Sequence, residues 1–99
     1  MPSLVQNERP MHMEFREIFL KDIRAVRDKA TLTKLQQLIA SVENAEELSQ
    51  ISNLKRLKGG DGQYYRIRMG DYRVGLTLAG GIVTFVRFLH RRDIYRYFP

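Results

Sequence analysis

The chain has 99 residues, 43% of them hydrophobic and 28% charged, a balance that fits one folded domain and excludes wholesale disorder. It has no cysteine, which excludes disulfides, thiolate catalysis and cysteine zinc sites. The formal charge of +6 belongs to the second half: residues 53–99 carry ten Lys and Arg against three Asp, the first 52 residues seven against eight. An asymmetry of that size points to an anionic partner such as nucleic acid, a membrane surface or an acidic protein.

No run of about 18 apolar residues exists, and the N-terminus lacks the basic-then-apolar order of a signal peptide, so the cytoplasm is the expected compartment. His12 and His90 stand far apart with no carboxylate at ligand spacing, and neither metal nor cofactor is expected. Residues 1–10 mix polar residues with two prolines and no period. They read as a flexible leader to a single domain over 11–99.

His12 to Arg16 predict a short strand, with Met11, Met13 and Phe15 alternating against His12 and Glu14. From Glu17 the period changes. Phe19, Ile23 and Val26 fall on one helical face, with Lys21, Asp22, Arg24 and Asp28 expected to face out. Thr31 or Thr33 is the expected cap of a second helix with the stripe Leu32, Leu35, Leu38, Ile39 and Val42. The short link between the two patterns predicts a helical hairpin whose stripes are core. Residues 43–53 read as a loop or fraying helical turn, and 54–62 as a lead into the sheet.

From Gln63 the pattern is strand. Tyr65, Ile67 and Met69 alternate with Tyr64, Arg66 and Arg68, and Gly70-Asp71 fits a type II′ turn. Tyr72, Val74, Leu76 and Leu78 alternate with Arg73, Gly75 and Thr77, and Gly80-Gly81 makes a second turn. Ile82 to Leu89 is a third strand, with Val83 and Phe85 on one face and Ile82, Val86 and Phe88 on the other. Arg91 to Phe98 ends the chain as a short helix or extended tail. The fold class is therefore α+β: an N-terminal strand, a two-helix hairpin, then an antiparallel β-meander, with the helices on one sheet face.

The two-residue turn sets Met69 opposite Tyr72, Arg68 opposite Arg73 and Ile67 opposite Val74, so Arg66, Arg68 and Arg73 share the face away from the helices. Two arginines directly across a hairpin repel each other. The face is either a solvated basic surface or a prepared phosphate site, for which arginine supplies planar bidentate donors. His90 can titrate near neutral pH as acid or base, or simply cap the strand end. Tyr95 can donate a hydrogen bond, stack on a base or shuttle a proton, whereas Tyr97 and Phe98 read as an apolar C-terminal patch. Arginine stays protonated and so stabilises charge rather than acting as base. Arginines with one titratable group suit RNA cleavage by its own 2′-hydroxyl, although many basic sheets bind nucleic acid without cutting it.

The runs Leu57-Lys58-Gly59, Tyr65-Arg66-Ile67-Arg68, Gly70-Asp71-Tyr72-Arg73-Val74 and Val86-Arg87-Phe88-Leu89-His90-Arg91-Arg92-Asp93-Ile94-Tyr95-Arg96 together resemble the RelE/ParE family of type II toxins. The resemblance covers roughly residues 12–97 and implies a RelE-like fold. It implies a toxin held inactive by a cognate antitoxin, touching operator DNA only through that antitoxin and no membrane. RelE-like members cut mRNA in the ribosomal A site by 2′-hydroxyl attack without metal. On that resemblance Arg73, Arg91, Tyr95 and His90 are the catalytic candidates, and Arg66, Arg68, Lys58 and Arg92 the phosphate-binding ones. The best-studied branch has lysines where Arg66 and Arg68 stand, which leaves the general base between Tyr95 and His90. Phe88-Leu89-His90 resembles instead the ParE-like members, which inhibit DNA gyrase and have no nuclease activity; that is the alternative reading.

Overall fold

Alternating apolar side chains give the strands one face to bury, and the computed structural model, which describes residues 12–59 and 63–99, shows what covers it. The leader at 1–10, Met11 of the expected alternation and residues 60–62 lie outside the described residues. The elements are β1 (His12–Phe15), α1 (Glu17–Arg24), α2 (Lys29–Asn44), a 3-10 turn (Leu48–Gln50), β2 (Leu54–Arg56), β3 (Tyr64–Met69), β4 (Tyr72–Ala79), β5 (Ile82–His90) and α3 (Ile94–Tyr97). They build one five-stranded sheet in the order β1-β5-β4-β3-β2, with β1 parallel to β5 and the other pairs antiparallel. The stretch expected only to lead into the sheet thus supplies an edge strand, Leu54–Arg56, paired to Tyr65–Ile67. Its three residues are too few to show a period, which hid it in the sequence. Among the described residues no helix is long and apolar enough to cross a membrane.

Phe19 of α1 and Leu35 and Val42 of α2 pack with Ile67, Val74, Leu76, Val83, Phe85 and Phe88 into a closed core on one sheet face. Phe19, Phe85 and Phe88 form its aromatic centre, and the exposed Phe15 ring stacks on Phe85 at its margin, with neighbouring ring centroids 5.0–6.4 Å apart. The cap of α2 is Asp28 rather than either threonine. Its Oδ1 accepts from Ala30 N–H at 3.2 Å, and its Oδ2 accepts from the Thr31 hydroxyl at 2.8 Å. A carboxylate there also meets the positive end of the helix dipole.

Phe88 corrects the expected faces of β5. Gly75 pairs with Arg87 and Leu76 with Phe85, so Val86 is an extra residue, a β-bulge. The bulge shifts the alternation by one. Phe88 thereby joins Val83 and Phe85 in the core, and Arg87 turns to the opposite face.

Asp22, expected to face solvent, is the other correction. Its carboxylate accepts from Arg87 Nε at 2.9 Å and Arg87 Nη2 at 3.1 Å, and from the backbone N–H of Phe88 at 2.9 Å. β1 ends its pairing at Phe15–Phe85, so beyond that point the β5 edge has no strand beside it among the described residues. Asp22 fills that gap. The hydrogen bond to Asp22 raises the Arg87 pKa above its usual value, with desolvation opposing and the attraction of the carboxylate adding to it. Asp22→Ala strands a mostly buried guanidinium and an unpaired edge N–H together. Its expected cost is about 3 kcal/mol, the lower end for removing one partner of a buried ion pair, read as a lowered midpoint in guanidinium chloride unfolding; a midpoint equal to wild type would show that the pair contributes nothing.

Candidate functional site

The face away from the core is organised by one transverse row of the sheet. Arg66 of β3 and Arg87 of β5 are both register partners of Gly75 of β4, so two arginines flank a glycine on one face. The C-terminal helix α3 sits on that row, on the opposite sheet face from α1 and α2. Phe98, 2% exposed, lies against Gly75, where an added Cβ would stand 2.7 Å from Phe98 Cδ2. Tyr64 meets the Phe98 ring edge-on at 5.6 Å, and Ile94 is fully buried. Phe98 is the apolar anchor expected of it; Tyr97 is not, being 54% exposed with its ring beneath Arg87 at 5.4 Å from the centroid. Tyr95, 57% exposed, has a hydroxyl oxygen that accepts from Arg66 Nε at 3.0 Å.

The hairpin register is the expected one, with Arg68 opposite Arg73 and positive φ at Gly70. The two guanidinium groups diverge, which relieves their repulsion. Arg73 Nη1 donates to the carbonyls of Gly70 at 2.8 Å and Tyr72 at 2.9 Å, which leaves its Nε–Nη2 edge free among the described residues. Arg68 Nη2 turns the other way to Asn53 Oδ1 at 3.4 Å. The Asn53 carbonyl accepts from Arg66 Nη1 at 3.1 Å and from the Arg68 backbone N–H at 3.2 Å. Among the described residues Arg66, Arg68 and Arg73 form no ion pair: every group they touch is a neutral oxygen. Among those residues their charge is not neutralised.

The remaining candidates stand apart from this group. His90 pairs with Tyr72 across the strands, on the parity of the core face, and its ring meets Tyr72 edge-on at 5.8 Å. Its Nδ1 accepts from Arg92 N at 3.1 Å and Arg92 Nε at 3.3 Å, which engages that His90 nitrogen and one side of the Arg92 guanidinium and puts the neutral ring's proton on Nε2. Arg91 sits beside the β3–β4 turn, its backbone N–H on Asp71 O at 2.8 Å and its Nε 3.9 Å from Asp71 Oδ1, an exposed and therefore weak pair. Lys58 is exposed beyond β2. Among the described residues no three His, Asp or Glu side chains are grouped as metal ligands.

Sequence reasoning missed Asn53, Gly75 and Arg87 as parts of this face. Asn53 has φ +64°, a left-handed conformation that asparagine tolerates better than most residues, so its place before a strand was the available signal. Gly75 and Arg87 had none, since their roles follow from a cross-strand row and a bulge.

Residues 13–95 match the model of the ParE toxin of the type II toxin-antitoxin system parDE. The chain is 36% identical over 90 residues to Toxin RelE3 of Methanocaldococcus jannaschii, covering 90% of this chain and all of that protein. The chain belongs to the RelE/ParE family of type II toxins. A chain of the RelB-RelE antitoxin-toxin complex from Methanococcus jannaschii matches it with a TM-score of 0.73 at 35% identity, over 87% of this chain and 99% of that one. The YoeB dimer from Staphylococcus aureus shares the fold, with a TM-score of 0.67 at 19% identity over 83% of this chain and 98% of that one.

In this toxin the fit of Phe98 on Gly75 sets the height of α3 above the arginines. Gly75→Ala would force the Phe98 ring to move and lift the helix, at a cost of about 1–3 kcal/mol for overpacking. Amides of residues 94–98 are expected to lose protection in hydrogen-exchange measurements while those of Val74, Phe85 and Phe88 keep theirs. Unchanged protection at 94–98 would refute this.

Proposed function

We propose that this toxin is a ribosome-dependent mRNA endoribonuclease that cleaves by attack of the substrate's own 2′-hydroxyl, without metal. The observation that carries the reading is the set of three arginines with no carboxylate partner among the described residues, placed on one sheet face with the Tyr95 hydroxyl hydrogen-bonded to Arg66. Arg66 and Arg68, with Lys58 and Arg92 further out, hold backbone phosphates. Arg73, through its free Nε–Nη2 edge, and Arg91 stabilise the charge that grows on the scissile phosphate.

The bond from the 2′-oxygen to phosphorus forms as the bond to the 5′-oxygen breaks. The 2′-hydroxyl proton passes to solvent, and the Tyr95 O–H supplies the proton taken up by the leaving 5′-oxygen. Arg66 Nε, already donating to the Tyr95 oxygen, stabilises the phenolate left behind. His90, with Nδ1 engaged by Arg92, acts on this face only if that bond opens, which favours Tyr95 for the proton transfer. A single small domain offers little surface to select RNA sequence alone, which favours the ribosomal A site as the place of action. A cognate antitoxin neutralises the toxin through the basic face, as charge complementarity favours, and operator DNA is reached only through that partner.

Primer extension on abundant mRNAs, minutes after induction without antitoxin, tests the reading. New 5′ ends at defined codon positions within translated regions are expected. Arg73→Ala should lower cleavage by about 10²–10³-fold, the scale for removing one charge-stabilising donor, and Tyr95→Phe by about 10²-fold or more. Intact mRNA alongside growth arrest would instead favour the gyrase-inhibitor alternative, with the basic face as a protein-binding surface.

A further inference from the structure

Ile94, the first residue of α3, is buried, and so is Phe98, the extended residue that ends the helix. At about 100° per residue, Tyr95 and Tyr97 project to opposite sides of Ile94. Burial of Ile94 and Phe98 therefore fixes how high the helix stands over the sheet but leaves it able to roll. The roll is set by the two flanks. On the β3 side the Tyr95 hydroxyl meets Arg66 Nε at 3.0 Å, and on the β5 side the Tyr97 ring lies beneath Arg87. Arg87 is itself fixed, since Asp22 takes both its Nε and Nη2 and both side chains are largely buried, 18% and 8% exposed.

We propose that Arg87 is a positioning residue: anchored on Asp22, it holds the Tyr97 ring and thereby the roll of α3 that brings the Tyr95 hydroxyl to Arg66. A cation over an aromatic face is attracted to it, more strongly where water is partly excluded. The inference rests on the ribonuclease reading only for what Tyr95 does with its proton; the geometry stands without it. A purely structural role for the Asp22–Arg87 pair makes Tyr97 irrelevant, because so exposed a ring adds little to the core. Positioning makes it matter.

The test compares Tyr97→Leu, which keeps apolar bulk and removes the π face, with Tyr97→Phe, which keeps the ring. In the ¹⁵N-labelled toxin the Arg66 Nε–H signal, assigned by its loss in Arg66→Lys, reports the bond to Tyr95. In Tyr97→Leu that proton is expected to exchange with solvent about tenfold faster, as local opening becomes easier; in Tyr97→Phe it keeps the wild-type rate. On ribosomes programmed with mRNA, kcat of Tyr97→Leu should fall about tenfold with KM within about twofold of wild type, the pattern of lost positioning rather than lost binding. Both variants should unfold at the wild-type denaturant midpoint. A wild-type Arg66 Nε–H exchange rate in Tyr97→Leu would overturn the proposal. Absence of cleavage by the wild-type chain would overturn the ribonuclease reading instead, and the exchange rates would still decide the role of Arg87.

Discussion

A guanidinium left unpaired in an apolar core is too costly to keep, and Arg87 lies in the middle of the most apolar strand of the chain. Strict alternation along Ile82–His90 would point it into the core on the same side as Val83 and Phe85. The single extra residue at Val86 reverses the parity beyond it, so Phe88 fills the core and Arg87 crosses to the other face. There it lies within reach of Asp22, whose carboxylate satisfies the guanidinium and the Phe88 N–H left bare where β1 stops. One bulge thus closes the core, pairs the charge and finishes the sheet edge.

The same bulge builds the second face. With Arg87 turned outward, Arg66, Gly75 and Arg87 lie in one row, and a helix of four residues can rest there because the middle position has no side chain. A helix so short has no stability of its own. What holds it is the apolar contact of Ile94 and Phe98 below and the two arginines at its sides. The helix that carries Tyr95 is therefore placed by the sheet rather than by its own sequence. Folding of the core and assembly of the basic face are in this way coupled through residues 85–88.

Much of this was legible in the sequence where a period or a turn carried the information. The β3–β4 register followed from Gly70-Asp71, since a two-residue hairpin leaves no freedom of alignment, and it placed Arg66, Arg68 and Arg73 together correctly. The core stripes of both helices followed from their spacing, except that Leu32 stays outside the core cluster. What stayed hidden depends on contacts between residues distant in the chain. Asp22 looks like any outward-facing acid on an amphipathic helix until Arg87 is found beside it, 65 positions away. Asp28 outcompeted two nearby threonines as a cap. His90, adjacent in sequence to Arg91, reads as part of the basic cluster, but the shift at Val86 leaves it across the sheet with Tyr72 and Arg92. A bulge is a one-residue event, and its effect on every later side chain makes it the least visible and most consequential feature of the strand.

The basic face also shows how far stability and the placement of charge diverge here. Arg68 and Arg73 are placed directly opposite each other, an arrangement that disfavours the folded state. The protein relieves part of this by turning the two groups toward Asn53 and the β3–β4 turn, where carbonyl and amide oxygens take up hydrogen bonds without cancelling charge. Carboxylates in those places would have stabilised the fold more. Elsewhere the chain does use them, as Asp22 on Arg87 shows, so neutral oxygens opposite Arg66, Arg68 and Arg73 are not a general habit of this sequence. Neutral partners fix the direction of a guanidinium while leaving its field intact, the condition an anion needs from a preorganised site. Any anion held between these arginines would relieve their mutual repulsion, so that binding and folding stability would rise together.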